Sequence, residues 1–242
     1  MNKLFSLVAL TIGFTVSAQI TTSSTNNSGA SASAIGLQTT ASGVASTSMG
    51  RQTLASGDYS TAIGHLTDAS GGTSLAMGRE TEAIGTYSTA IGFLTDAVGG
   101  TSIAMGRQTL ANALYSTAMG HLTIASGESS SSMGYQTTAG GDYSTALGYL
   151  TSASGGSSIA MGRSTSASEL YATAMGHETT AGGNSSTATG YKTTASGAAS
   201  TAMGLETTAG GLQMKTFVVE QTEKISNSIT YSLAQFSKLL GS

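Results

Sequence analysis

The sequence contains no proline, no cysteine and no tryptophan among its 242 residues. Without cysteine, the chain has neither disulfide bonds nor thiolate chemistry. Charged residues make up only 9% of the chain and the formal net charge is -3. No basic block stands out, so neither nucleic acid nor an anionic membrane surface is predicted as a partner. Much of the 39% hydrophobic share is alanine, so an ordinary core of leucine, valine and phenylalanine is hard to build.

What the chain does have is a repeat of fourteen residues. Glycine, serine, threonine and alanine also dominate many disordered tracts, but such tracts have no reason to keep these residues at fixed phases. The glycine that closes each Ala-(Ile/Met/Leu)-Gly tripeptide recurs without a slip at Gly36, Gly50, Gly64, Gly78, Gly92, Gly106, Gly120, Gly134, Gly148, Gly162, Gly176, Gly190 and Gly204. A fixed short period predicts a stacked repeat architecture in which each unit is one rung.

Small residues alternate along each rung. Positions are counted from the motif glycine, which is position 0. Before it, position -4 is usually serine and position -2 is alanine except at Ser48 and Ser132. After it, position +3 is always threonine and position +5 is always alanine. Successive strand residues point to opposite faces, so two strand faces carry only small side chains and can approach closely. The fold predicted is a parallel β-roll, a rod of roughly 60 Å at about 4.8 Å per rung. The frequent glycine at position +7 predicts a turn with positive φ or a close approach to the next rung.

An apolar row occupies position -1, on the face opposite the small residues. Every rung has isoleucine, methionine or leucine there except at Thr189. A soluble monomer seldom exposes such a continuous row, so we expect it to be buried against other copies of the chain. The opposite orientation, with position -1 inside and the small face in solvent, stays open at this stage. The interface predicted comprises Ile63, Met77, Ile91, Met105, Met119, Met133, Leu147, Met161 and Met175.

Tyrosines and arginines recur every 28 residues, which indicates that odd and even rungs differ. Tyrosine and arginine favour binding interfaces, although packing between the outer faces of neighbouring rungs explains these residues equally well. The candidates for contact with a surface ligand are Tyr59, Tyr87, Tyr115, Tyr143, Tyr171, Arg79 and Arg107.

No constellation of residues predicts catalysis, a cofactor or a metal. His65, His121 and His177 share position +1 but are four rungs apart, roughly 19 Å, so one chain cannot bring them together. The acidic residues Asp58, Asp142, Asp68 and Asp96 are interpreted as solvated turn charges. No nucleophile, acid-base pair or phosphate-binding loop stands apart from the repeat, so the protein is not expected to be an enzyme.

The two ends of the chain differ from the repeats. Residues 1–18 have a basic start, an apolar stretch and Val16-Ser17-Ala18, which predicts a cleaved secretory signal. Residues 19–29 are a polar lead-in, residues 30–211 hold thirteen repeats, and residues 212–242 form a cap or a coiled-coil stalk stub. The spacing of Ile225, Ile229, Phe236 and Leu239 fits a short helical seam.

The repeat resembles the head repeats of trimeric autotransporter adhesins of the YadA type. The resemblance is carried by segments such as Ser88-Thr89-Ala90-Ile91-Gly92 followed by Thr95-Asp96-Ala97-Val98-Gly99. It implies an all-β, left-handed parallel β-roll, a homotrimer and adhesion to an extracellular protein, a glycan or a cell-surface ligand. It also implies a location at the bacterial cell surface, associated with the outer membrane.

Two other functions remain as alternatives. An ice- or crystal-binding solenoid would present the threonines at position +3 as a flat array, and a phage fibre shaft would share the repetitive form. The export signal disfavours the fibre. No membrane span apart from the signal is predicted and no membrane anchor is recognisable, so we expect the chain to be truncated, released or held by another partner.

Overall fold

The computed structural model describes residues 24–211 and 215–218, which form one parallel β-solenoid. Successive rungs pair at an offset of fourteen residues, so that Met119 lies beside Met105 on one side and beside Met133 on the other. All regular elements of the described residues are strands. The predicted all-β solenoid is therefore confirmed, whereas the predicted signal and the helical seam lie outside the described residues.

Each rung contains one longer and one shorter strand. The longer strands that span positions -3 to +1 are β2 (Ser33–Leu37), β4 (Thr47–Arg51), β9 (Ile103–Arg107), β11 (Thr117–His121), β13 (Ser131–Tyr135), β15 (Thr145–Tyr149), β17 (Ile159–Arg163), β19 (Thr173–His177), β21 (Thr187–Tyr191) and β23 (Thr201–Leu205). The two-residue strands are β1 (Asn26–Asn27), β3 (Thr40–Ala41), β5 (Leu54–Ala55), β10 (Leu110–Ala111), β12 (Ile124–Ala125), β14 (Thr138–Ala139), β16 (Ser152–Ala153), β18 (Ser166–Ala167), β20 (Thr180–Ala181), β22 (Thr194–Ala195) and β24 (Thr208–Ala209). In three rungs the two merge into β6 (Thr61–Ala69), β7 (Leu75–Ala83) and β8 (Thr89–Ala97), and β25 (Lys215–Val218) follows the last repeat.

The pairing includes residues on both sides of the range 30–211 predicted for the repeats. Strand β1 lies beside β3, with Asn26 opposite Thr40. Strand β25 lies beside β23, with Lys215 opposite Thr201, although its sequence does not follow the motif. The ladder thus continues beyond the first and the last full repeat.

Two corners with positive φ close each rung. One falls at position +2, where Gln108 has a φ of 53°, and the other at position +9, where Tyr115 has a φ of 59°. At the second corner a serine donates its N–H to the carbonyl oxygen three residues earlier, as Ser130 does to Gly127 at 3.2 Å. A four-residue turn with positive φ at its third residue usually takes glycine or asparagine there, so side chains at position +9 are held in an unfavourable backbone region.

The glycines at positions 0 and +7 are required by close approach between rungs. A Cβ on Gly127, at position +7, would lie only 2.0 Å from the carbonyl oxygen of Gly141. Gly127 lies outside the positive-φ region, so of the two explanations offered for position +7, close approach is the one confirmed. The motif glycine Gly106 combines both demands, with a φ of 128° and the oxygen of Gly120 at 2.0 Å from its ideal Cβ.

The interior of the roll consists of small side chains. From Ala41 to Ala209 the alanine at position +5 is fully buried in every rung, and the threonines at position +3 are at most 2% exposed. The inward orientation of the small face is therefore confirmed, and the reversed orientation is wrong. The ice-binding alternative loses its basis, because hydroxyl groups inside the roll cannot contact a lattice.

Candidate functional site

The apolar row at position -1 lies on the outside of the roll. All nine residues predicted for the interface are half-buried or exposed, and those that remain most accessible, such as Met119, Leu147 and Met175, are each 37% exposed. Neighbouring side chains of the row stand in register from rung to rung, as Met105 and Met119 do. One chain therefore presents a continuous apolar stripe that its own fold does not cover.

Position -3 widens this stripe at three rungs. Ile103 and Ile159 are 39% and 37% exposed, and Leu75 is half-buried at the same strand position of another rung. The sequence analysis missed these residues because position -3 is threonine in most rungs. Their shared parity with position -1 is the signal that could have identified them.

A second outer row consists of the arginine, histidine, phenylalanine and tyrosine residues at position +1, from Arg51 to Tyr191, and is called the ring row here. Arg79 and Arg107, predicted as ligand contacts, both pack on Phe93 of the rung between them, with guanidinium carbons 5.2 and 5.9 Å from the ring centroid. Arg79 also places its Nε 2.9 Å from Oε1 of Glu80. These two arginines thus pack between rungs, as the alternative interpretation expected.

The ring row continues towards the C-terminus as a stack. His121 meets Tyr135 edge-on at a centroid distance of 5.1 Å, and Tyr135 stacks on Tyr149 at 5.0 Å with an interplanar angle of 8°. The guanidinium of Arg163 lies 5.6 Å from the Tyr149 ring. The sequence pattern did not predict that tyrosines and phenylalanine join the arginines and histidines of this row, because it was followed by residue type instead of by position.

The tyrosine row, the five tyrosines at position +9, is the most exposed set of aromatic side chains in the described residues. Tyr59, Tyr87, Tyr143 and Tyr171 are 63–64% exposed, and Tyr115 is 55% exposed. They recur every second rung, about 9.5 Å apart, with threonine or serine at the corner between them. Their backbones are fixed, since the N–H of Tyr115 donates to the carbonyl oxygen of Gly100 at 3.0 Å.

Two turn carboxylates have a structural role that sequence reasoning did not detect. Oδ1 of Asp58 accepts the backbone N–H of Val44 at 2.8 Å, and Oδ1 of Asp142 accepts that of Glu128 at 2.9 Å. Each carboxylate therefore ties its turn to the preceding rung while its side chain stays exposed to solvent, as the sequence predicts.

An acidic column stands at position +4 of three consecutive rungs. Asp68, Glu82 and Asp96 lie side by side in the merged strands β6, β7 and β8. Partial burial, followed by the charge of Glu82, raises the pKa of Asp68 and of Asp96 above its ordinary value. Both residues are half-buried in strands, so their interpretation as solvated turn charges is wrong. In the described part of the chain no group of three histidine, cysteine or acidic residues is arranged to hold a metal ion.

Comparison with known proteins identifies the repeat. The model of the YadA head domain repeat matches residues 28–52, 41–67, 69–95, 97–123, 125–151, 153–179 and 181–207. A search of curated proteins found no match. Within residues 24–211 and 215–218, no helix is long and apolar enough to cross a membrane.

Proposed function

Because the chain belongs to the YadA head family, we propose that it is the adhesive head of a trimeric protein on a bacterial surface. This family implies a cell-surface autotransporter adhesin, and its heads are known to form trimers. In this proposal the signal at residues 1–18 exports the chain, and three copies stand in parallel with their rungs in register.

The observation that carries the proposal is the uncovered apolar row. The interior of one roll contains alanine, serine and threonine, so the methionine and isoleucine side chains from Ile63 to Met175 are only partly buried within the chain. Burying them against two other copies would remove about 25 cal/mol of unfavourable free energy per Å² of apolar surface. A parallel arrangement in register keeps each methionine at the height of its two equivalents.

Binding is then distributed over repeated outer positions instead of one pocket. The tyrosine row supports this, because its side chains are exposed on rigid corners and lose little conformational freedom when a ligand covers them. The intervening corners carry threonine or serine at the same backbone geometry, as Ser129 does with a φ of 54°. Serine therefore replaces tyrosine in this position without a change of fold.

Attachment of coated particles tests the proposal. Microspheres carrying the full chain are expected to adhere to at least one of three surfaces: cultured epithelial cells, cells that display the same head, or clean glass. Tyr87→Ser with Tyr115→Ser and Tyr143→Ser should reduce adhesion several-fold without changing the circular dichroism spectrum. Particles coated with the unaltered chain that adhere no better than albumin-coated particles would contradict the adhesive role.

A further inference from the structure

The cationic and aromatic residues of the outer strands are concentrated in one row. All four arginines and all three histidines of residues 24–211 lie at position +1. Over eleven consecutive rungs this position carries only arginine, histidine, phenylalanine or tyrosine, and no acidic residue: Arg51, His65, Arg79, Phe93, Arg107, His121, Tyr135, Tyr149, Arg163, His177 and Tyr191. Ten intervals of about 4.8 Å make this ring row about 48 Å long.

The row presents the edges of its rings to solvent. Tyr135 and Tyr149 cover each other's faces in a parallel stack, yet they remain 37% and 43% exposed. The exposed part of a ring stacked in this way is its rim, where a tyrosine carries its hydroxyl and a histidine its N–H. The guanidinium groups stacked on Phe93 and Tyr149 likewise add N–H donors at the same height as the rings.

Most of the positive charge in the row is uncompensated within the described residues. Arg79 pairs with Glu80 and His177 with Glu178, whereas Arg51, Arg107 and Arg163 form no salt bridge to any described residue. Arg107 and Arg163 stand four rungs apart, about 19 Å, and Arg51 lies a further four rungs away. A ligand that neutralises all three must therefore be an elongated polyanion.

We propose that the ring row binds an acidic polysaccharide along the axis of the rod. Its carboxylate or sulfate groups would pair with the three free arginines, and its hydroxyl groups would bond to the rims of the tyrosines and histidines between them. Single-stranded nucleic acid fits less well, because its bases bind by stacking on open ring faces and the ring faces here cover one another. The inference rests on the proposed adhesive function, for which it names the class of ligand, but one chain contains the complete row.

Binding in solution tests the inference without requiring adhesion or assembly. Fluorescence anisotropy of the full chain is measured with three labelled probes of equal length: a sulfated heparin fragment, an oligoguluronate that carries only carboxylates, and oligodeoxythymidylate. The variant Arg51→Gln with Arg107→Gln and Arg163→Gln is expected to bind about tenfold more weakly and with a shallower salt dependence. Its matched control, Ser56→Glu with Ser126→Glu and Ser154→Glu, lowers the net charge equally at exposed positions outside the row.

The outcomes separate the alternatives. Stronger binding of the heparin fragment assigns the anionic group as sulfate, stronger binding of the oligoguluronate assigns it as carboxylate, and either supports the proposal if the control still binds. Equal loss in both variants would mean nonspecific attraction, and preference for the oligodeoxythymidylate would mean a nucleic-acid site; either overturns it, as does binding of no probe. Light scattering on the same samples identifies a monomer that still binds, which would contradict the trimer and leave the polysaccharide site intact.

Discussion

The hydroxyl groups inside the roll divide into paired and unpaired ones. Where serine replaces alanine at position -2, its Oγ meets the threonine hydroxyl five residues later, at 2.6 Å for Ser48 with Thr53 and at 2.7 Å for Ser132 with Thr137. In rungs with alanine at position -2, a threonine such as Thr95 is fully buried and its hydroxyl has no partner. Leaving a buried hydroxyl unpaired costs about 1–3 kcal/mol.

Replacing threonine by valine should therefore have opposite effects in the two kinds of rung. Thr95→Val removes an unpaired hydroxyl while keeping the shape, and we expect the free energy of unfolding to rise by about 1 kcal/mol. Thr137→Val leaves the buried hydroxyl of Ser132 without a partner, so the same quantity should fall by about 1–2 kcal/mol. Chemical denaturation of each variant measures both changes, and equal effects in the two rungs would show that the hydroxyl pairs do not matter.

For single residues, the sequence predicts well whether a side chain points into the roll and predicts poorly which residues have positive φ. Alternation assigns Thr95 to the interior because a one-residue shift would expose every small side chain in the strand. It does not predict positive φ at Tyr115 or Gln108, since neither residue favours that region. Only the need to close fourteen residues into one rung imposes those corners.

The merged strands β6, β7 and β8 support the acidic column. The parallel pairing of these three strands holds Asp68, Glu82 and Asp96 in adjacent register. Like charges directly opposite each other in a sheet destabilise it. The raised pKa of Asp68 and of Asp96 means that their stabilising contribution is complete below the unfolded-state pKa and is lost as the pH rises through the folded-state value.

Neutralising the central carboxylate should relieve this repulsion. Glu82→Gln is expected to raise the free energy of unfolding at pH 7 by a few tenths of a kcal/mol, since the groups are half exposed and screened. The difference should vanish near pH 3, where the flanking carboxyl groups are protonated. Thermal unfolding at both pH values provides the measurement, with Glu169→Gln at an exposed turn as control. A gain of equal size at both pH values would contradict the electrostatic cause.

The ring row is a set of stacked side chains that the sequence contains but that a search by residue type does not predict. The 28-residue spacing groups the arginines as a row of their own and leaves out Tyr135, which occupies the same position of its rung. In the roll, position along the rung decides which side chains touch, so Tyr135 continues the stack between His121 and Tyr149. Grouping residues by type also separates Phe93 from Arg79 and Arg107. In the structure, both guanidinium groups pack on the Phe93 ring.

The whole molecule places its small residues inside and its larger apolar residues outside. This inverts the usual arrangement of a soluble domain, where methionine and isoleucine are buried. The repeat period predicts the solenoid, and the alternation of residues within each rung favours an outward apolar row. The number of chains cannot follow from one roll, because the same row would suit two, three or more copies around an axis.

The proposed assembly depends on specific side chains of the apolar row. Met105→Asp with Met119→Asp places two carboxylates in the proposed interface, where burying an unpaired charge costs far more than the lost apolar contact. Leu114→Asp with Leu170→Asp is the matched control, since these leucines are 45% and 52% exposed on the turn of the roll. Only the first variant is expected to dissociate.

The mass of the full chain in solution, measured by light scattering after size exclusion, tests the central claim most directly. We expect three times the mass of one chain, eluting early as a rod does, with the methionine variant at the mass of one chain and the leucine control at three. A single-chain mass for the unaltered protein, or a trimer that survives both methionine substitutions, would contradict the account of the apolar row as the seam between subunits.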